Sequence, residues 1–91
     1  MIERAEIKLS ELVQMVNLRF LTLEKARELK LSGYIRNDKG GSVALVVEGE
    51  SDRVDELIAW INSNPGFTEP RIDCINRGDS TGEFKNFEIR F

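Results

Sequence analysis

The chain contains no histidine and only one cysteine, Cys74. Those two shortages remove disulfides within the chain and every zinc arrangement assembled from His and Cys ligands, and they fit a reducing, cytoplasmic setting. They also leave Cys74 without an imidazole to activate it, so its alternation with Arg71 and Asp73 reads as a small core residue rather than a nucleophile. Basic residues are in deficit, 13 against 16 acidic ones for a formal net charge of −3. General nucleic-acid binding needs a basic face to neutralise phosphates, and this balance argues against it. The glycine-aromatic core of an RNA-recognition motif is absent as well, so Trp60 and the late phenylalanines read as packing. A long apolar run is missing from the opening MIERAEIKLS, where charges recur every second or third residue. That stretch is neither a signal peptide nor a membrane span. An anionic ligand would have to be held by local geometry rather than by bulk charge.

What is present is enough for one small domain, residues 1–91, with 41% hydrophobic and 32% charged residues. A chain of this length buries about 60 to 65% of its unfolded surface and has no room for two cores. Ala5, Ile7 and Leu9 alternate with Arg4, Glu6 and Lys8, the period of a strand with one buried face. Leu18, Leu21, Thr22, Ala26 and Leu29 fall on one arc of a helix, with Lys25 near its middle, and Gly33 reads as the stop. Tyr34 to Asn37 form a short second strand. DKGG, residues 38–41, reads as a tight turn because its two glycines supply positive φ. Val43 to Val47 is apolar throughout, as in an inner strand. Ser51 and Asp52 offer an N-cap and an acidic first turn to a helix whose stripe is Val54, Leu57, Ile58 and Ile61, ending before Pro65. Ile72 and Cys74, then Phe87, Ile89 and Phe91, alternate with charges on two more strands, separated by a polar turn around Gly78 to Gly82.

Strand, helix, strand, strand, helix, strand is the split βαβ order of an α+β, ferredoxin-like βαββαβ sandwich. The expected form is an antiparallel sheet with two helices on one face and an extra C-terminal strand. The first and second strands then run the same way, so the segment Gln14 to Arg19 and the turn after Asn37 meet at one sheet edge. A segment entering a helix exposes backbone N–H groups at the positive end of the helix dipole, a ready anion site. Arg19 adds a planar fork that matches phosphate oxygens. By itself Arg19 would be read as a solvated helix-start residue, and Asn37 as an ordinary turn residue. Together they make one anion clamp and one amide.

These residues resemble the acylphosphatase family. Gly33, Tyr34, Ile35, Arg36 and Asn37, then Gly41, Val43 and Gly49, match the spacing of a family signature. SNP at 63–65 and the ending NFEIRF are similar to family members too, so the resemblance runs over essentially the whole chain. The family's phosphate-cradle signature is met by Val13, Gln14, Val16 and Arg19. It is broken where Glu11 and Met15 stand in place of glycines, and Leu18 takes an aromatic or methionine position.

The resemblance implies hydrolysis of acyl phosphates to carboxylate and inorganic phosphate. Backbone N–H groups of Val13, Gln14, Met15, Val16, Asn17 and Leu18, with the Arg19 guanidinium, would hold the phosphoryl group while Asn37 orients the water. It implies no metal and no cofactor, and a small-molecule acyl phosphate or inorganic phosphate as the partner of a monomer, with no nucleic acid and no membrane. Two classes of function follow. One is an active acylphosphatase, favoured by the pairing of Arg19 with Asn37. The other is a catalytically weak or inactive binding or regulatory module on the same scaffold, such as an amino-acid-sensing domain, favoured by Glu11 and Met15.

Overall fold

The computed structural model describes residues 1–11, 16–38, 42–63 and 70–90. In chain order the elements are β1 (Ile2–Glu11), α1 (Val16–Glu28), β2 (Ser32–Asn37), β3 (Val43–Glu50), α2 (Ser51–Asn62), β4 (Pro70–Asp79) and β5 (Phe87–Arg90). The strands form one sheet in the order β4-β1-β3-β2-β5. β3 lies between β1 and β2 and is antiparallel to both, and β4 is antiparallel to β1. The extra strand β5 joins the far edge parallel to β2, so the ferredoxin-like sheet is mixed.

One face of the sheet is apolar because alternate residues make it so. Ala5, Ile7 and Leu9 of β1, Ile35 of β2, Val43, Leu45 and Val47 of β3 and Phe87 of β5 are buried in a single core. Val54, Leu57 and Ile61 of α2 enter that core from above, and Ile58 is half-buried beside them. α1 contributes Leu18 and Ala26 to it, and Leu29 joins them just past the end of the helix. Thr22 is fully buried as well, and its Oγ1 finds no hydrogen-bond partner among the described residues. Lys25, on the same arc, keeps its side chain about a quarter exposed and pairs with Glu28 at 3.3 Å. Both helices therefore cover the same face, as the pattern predicts.

Four sequence expectations change. α1 does not run to Gly33; it closes at Lys30, whose φ of 58° is left-handed. The Leu31 N–H donates to Ala26 O at 2.9 Å and the Lys30 N–H to Arg27 O at 3.0 Å, the paired bonds of a Schellman stop. Gly33 is instead inside β2 with φ 134°, where a Cβ would sit 1.9 Å from Val46 O. Glycine is required there for close approach to β3, not to end a helix.

Ser51 does not cap α2. It is the first helical residue, and both its N–H and its hydroxyl donate to Met1 O, at 2.8 and 3.0 Å. Asp52 does sit in the acidic first turn.

Cys74 is exposed, not a core residue. The β1–β4 register shifts between Lys8 and Leu9: Lys8 pairs with Cys74 but Leu9 with Ile72, leaving Asp73 as an extra residue. Such a bulge reverses the face of everything beyond it. Ile72 and Ile75 turn partly inward while Cys74 turns out. β4 also runs on through Gly78 to Asp79, so the polar connection begins at Ser80.

Candidate active site

The place predicted for chemistry lies where β1 gives way to α1 and β2 ends. Leu9, Val43 and Asn37 form one row across β1, β3 and β2. Because β1 and β2 run the same way, the exit of β1, the start of α1 and the last residue of β2 share one end of the sheet. Asn37 is that last residue and is exposed. By strand alternation it shares the helix-covered face with Ile35. Asp38 N–H donates to Ser42 O at 2.8 Å just beyond it, closing the ladder around the DKGG stretch, of which 39–41 lie outside the described residues.

Arg19 is the fourth residue of α1, half-buried rather than fully solvated. Its neighbour Leu18 is completely buried in the core, which pins this first turn against the sheet. No acidic residue stands in the first turn of α1. The backbone N–H groups of a first turn have no intrahelical partner, and here no carboxylate of that turn opposes the positive end of the helix dipole. Of the residues predicted to cradle phosphate, Val16, Asn17 and Leu18 thus belong to the helix itself rather than to a preceding loop. Val13, Gln14 and Met15 lie outside the described residues. Glu11 ends β1, opposite Pro70 of β4. Chemically, this end of the sheet offers N–H donors, a guanidinium and a primary amide. Among the described residues no group of three or more His, Cys, Asp or Glu could hold a metal ion.

The opposite face of the sheet holds a polar centre that sequence reasoning missed. The connection from β4 to β5, residues 80–86, crosses from one edge of the sheet to the other over this face and is fastened to Glu48, only 4% exposed. Glu48 Oε2 accepts from the Thr81 N–H at 2.9 Å, the Thr81 hydroxyl at 2.8 Å and Arg4 Nη1 at 3.0 Å, and its Oε1 accepts from the Gly82 N–H at 3.0 Å. Gly82 has φ 70°, a conformation that glycine adopts without strain. Burial alone would push the Glu48 carboxyl up, but the Thr81 N–H and hydroxyl, the Gly82 N–H and Arg4 together outweigh it and hold the carboxyl below its ordinary value. Arg4 also reaches Glu83 at 2.6 Å and Glu6 at 2.9 Å. Phe84 of the same strap packs edge-on against Tyr34, with ring centroids 5.8 Å apart. The only signal in the sequence was Glu48 itself, a carboxylate following the apolar run of an inner strand.

Residues 6–89 match the family described as Acylphosphatase. The chain is 41% identical over 88 residues to an acylphosphatase of Paenarthrobacter aurescens, covering 94% of this chain and 92% of that one. It is 37% identical over 90 residues to an acylphosphatase of Geobacter sulfurreducens, covering 97% of each. Its fold superposes on the crystal structure of acylphosphatase from Bacillus subtilis with a TM-score of 0.85 at 20% identity, over 98% of this chain and 99% of that one. With near-complete family coverage, relatives of this similarity and a matching sheet, the chain belongs to the acylphosphatase family.

Proposed function

We propose that the protein hydrolyses acyl phosphates to a carboxylate and inorganic phosphate at the junction of β1, α1 and β2. The phosphoryl group is held by backbone N–H groups of residues 13–18 and by the Arg19 guanidinium, and the Asn37 amide orients the attacking water. Fixed donors aimed at a phosphoryl group stabilise the charge that spreads over its oxygens, and the carboxylate is a good enough leaving group to need little help from a protein acid. The observation that carries this reading is the shared position of Asn37 and the acid-free first turn of α1, with Arg19 in it, at one end of the sheet in a member of this family. The reading is of one domain acting as a cytoplasmic monomer.

The test is turnover of benzoyl phosphate, with inorganic phosphate as inhibitor. Arg19→Ala removes charge-assisted hydrogen bonds worth about 1.5 to 3 kcal/mol each and is expected to weaken phosphate inhibition at least tenfold. Asn37→Ala is expected to leave phosphate inhibition in place and abolish turnover. Wild-type rates in both variants would refute these roles.

A second reading, a weak or non-catalytic binding module, draws on Glu11 and Met15. If the glycine that Met15 replaces has a left-handed backbone in the family, methionine there would cost about 1 to 2 kcal/mol, and Glu11, the last residue of β1, adds a carboxylate just before the cradle residues in the chain. Glu11→Gly with Met15→Gly is expected to tighten phosphate binding and raise turnover. Equal or weaker binding in an NMR phosphate titration would favour the module.

A further inference from the structure

The face of the sheet turned away from the helices carries a shallow basin of about 470 Å³ that the phosphoryl site does not use. That volume is within the roughly 300 to 1,000 Å³ usual for small-molecule sites. One ladder row crosses this face from edge to edge: Cys74, Lys8, Ala44, Arg36 and Arg90, on β4, β1, β3, β2 and β5. Three of these five residues are cations, in a chain whose net charge is −3. Arg36 and Arg90 stand directly opposite each other. Like charges so placed destabilise a sheet, so the row has an electrostatic cost that a counter-charge would relieve.

The protein supplies that counter-charge unevenly. Arg90 is engaged by Glu88 at 3.1 Å and by the rings of Tyr34 and Phe84, whose centroids are 4.1 and 6.0 Å from Cζ. Arg36 has a single carboxylate partner among the described residues, Asp38 at 3.4 Å, lies over the Tyr34 ring at 5.9 Å from its centroid, and is half-exposed. Lys8 makes no ion pair among the described residues, and the nearby Glu6 is tied to Arg4. Lys8 and Arg36 are separated by the one strand that carries Ala44. Adjacent strands lie about 4.8 Å apart, so the two cations rise from backbones roughly 10 Å apart with only a methyl group between them. In the next row Val46 continues this low apolar floor.

We propose that this row is a second anion site, which takes a small organic dianion whose carboxylate or phosphate groups meet Lys8 at one end and Arg36 at the other, its short apolar middle lying on Ala44 and Val46. Two separated cations select two separated negative groups over one compact anion. The planar guanidinium of Arg36 receives one group in a bidentate fork, and the Lys8 ammonium receives the other as a point charge. The size of the basin and its low floor favour a small molecule over an acidic protein segment. Occupation here would not need Arg19 or Asn37, which belong to the other side of the sheet.

The experiment is a titration of ¹⁵N-labelled protein with succinate at constant ionic strength, beside acetate as a monoanion and inorganic phosphate as a compact anion. Wild type is compared with Arg19→Ala, Lys8→Gln and Arg36→Gln. The expected result is a saturable shift of the Lys8, Arg36 and Ala44 amides with succinate that persists in Arg19→Ala. Loss of either charged contact is expected to weaken succinate about tenfold. Acetate and phosphate are expected to bind this row more weakly than succinate. Both glutamine variants lie on exposed positions, and a succinate-dependent rise in Tm that wild type shows and they lack provides a second reading. Non-saturating shifts, or shifts unchanged in Lys8→Gln and Arg36→Gln, would overturn the proposal. So would binding of polyglutamate without a saturable response to succinate, which would make the row an acidic-protein surface instead.

Discussion

The two faces of this sheet are closed by opposite physical means. The helix-covered face is sealed by area, with Ala5, Ile7, Leu9, Ile35, Leu45, Val47 and Phe87 meeting Leu18, Val54, Leu57 and Ile61 in one core. No single contact is decisive there, because dispersion and burial are spread over many atoms. The other face is fastened by a buried carboxylate, Glu48, which collects two backbone N–H groups, a hydroxyl and a guanidinium. Its strength is concentrated at a point, and it responds to protonation as the apolar face does not. A small domain can thus hold a long crossing connection without a second core, provided every donor around the buried charge is matched.

The contrast can be broken most forcefully from the apolar side. Phe87→Ala removes the largest fully buried side chain, the one that seats β5 beneath α1. It is expected to cost about 3 to 5 kcal/mol in urea denaturation. Loss of under about 1 kcal/mol would mean that β5 packs far more loosely than its burial implies.

The next effect is on the strap. Glu48→Ala leaves the N–H groups of Thr81 and Gly82 without their acceptor and takes one of three carboxylates from Arg4, and about 2 to 3 kcal/mol of destabilisation is expected, moderated because the strap can open to water. Hydrogen exchange should then speed up at Thr81 and Gly82 before it does in β1 or β3. Uniform acceleration across the sheet would contradict a local fastening.

The smallest effect, and the one that most sharpens the contrast, is on acid stability. The folded Glu48 carboxyl is held below its ordinary value. Above the ordinary glutamate pKa of about 4.3 its contribution is complete, because the group is ionised in both folded and unfolded chains. As pH falls, the unfolded chain takes up the proton first, and stability drains away until the pH has passed through the lowered folded value. Between about pH 6 and about pH 3, wild type should lose more stability than Glu48→Gln, in which this linkage is absent. Parallel curves for the two proteins would show that Glu48 is not the group being titrated.

How much of this could be read in the sequence depended on whether the signal was local. β1, β3 and α2 were legible because their periods are clean, and the helix-strand order then left few topologies. The end of α1 was misread because glycine is the usual left-handed residue, and here Lys30 takes that conformation while Gly33 meets a demand set by a neighbouring strand. Cys74 was misplaced because a bulge is a property of two strands at once and leaves no mark in either alone. Glu48 was overlooked because its partners lie over thirty residues away. At the candidate site, Arg19 and Asn37 stood out only through their spacing relative to other motif residues, since neither residue type is unusual where it stands.

The bulge at Asp73 has one more effect, on how the molecule meets copies of itself. β4 is a ten-residue strand at the rim of the sheet, and a flat strand of that length offers a row of unpaired backbone groups on which another chain could continue the sheet. The extra residue interrupts that row near its middle. Asp73, whose carboxylate accepts from the Ser10 hydroxyl at 3.1 Å, leaves a charge at the interruption. At the other rim β5 is only four residues long. With one border interrupted and charged and the other short, both rims of the sheet carry features that disfavour edge-to-edge pairing between copies.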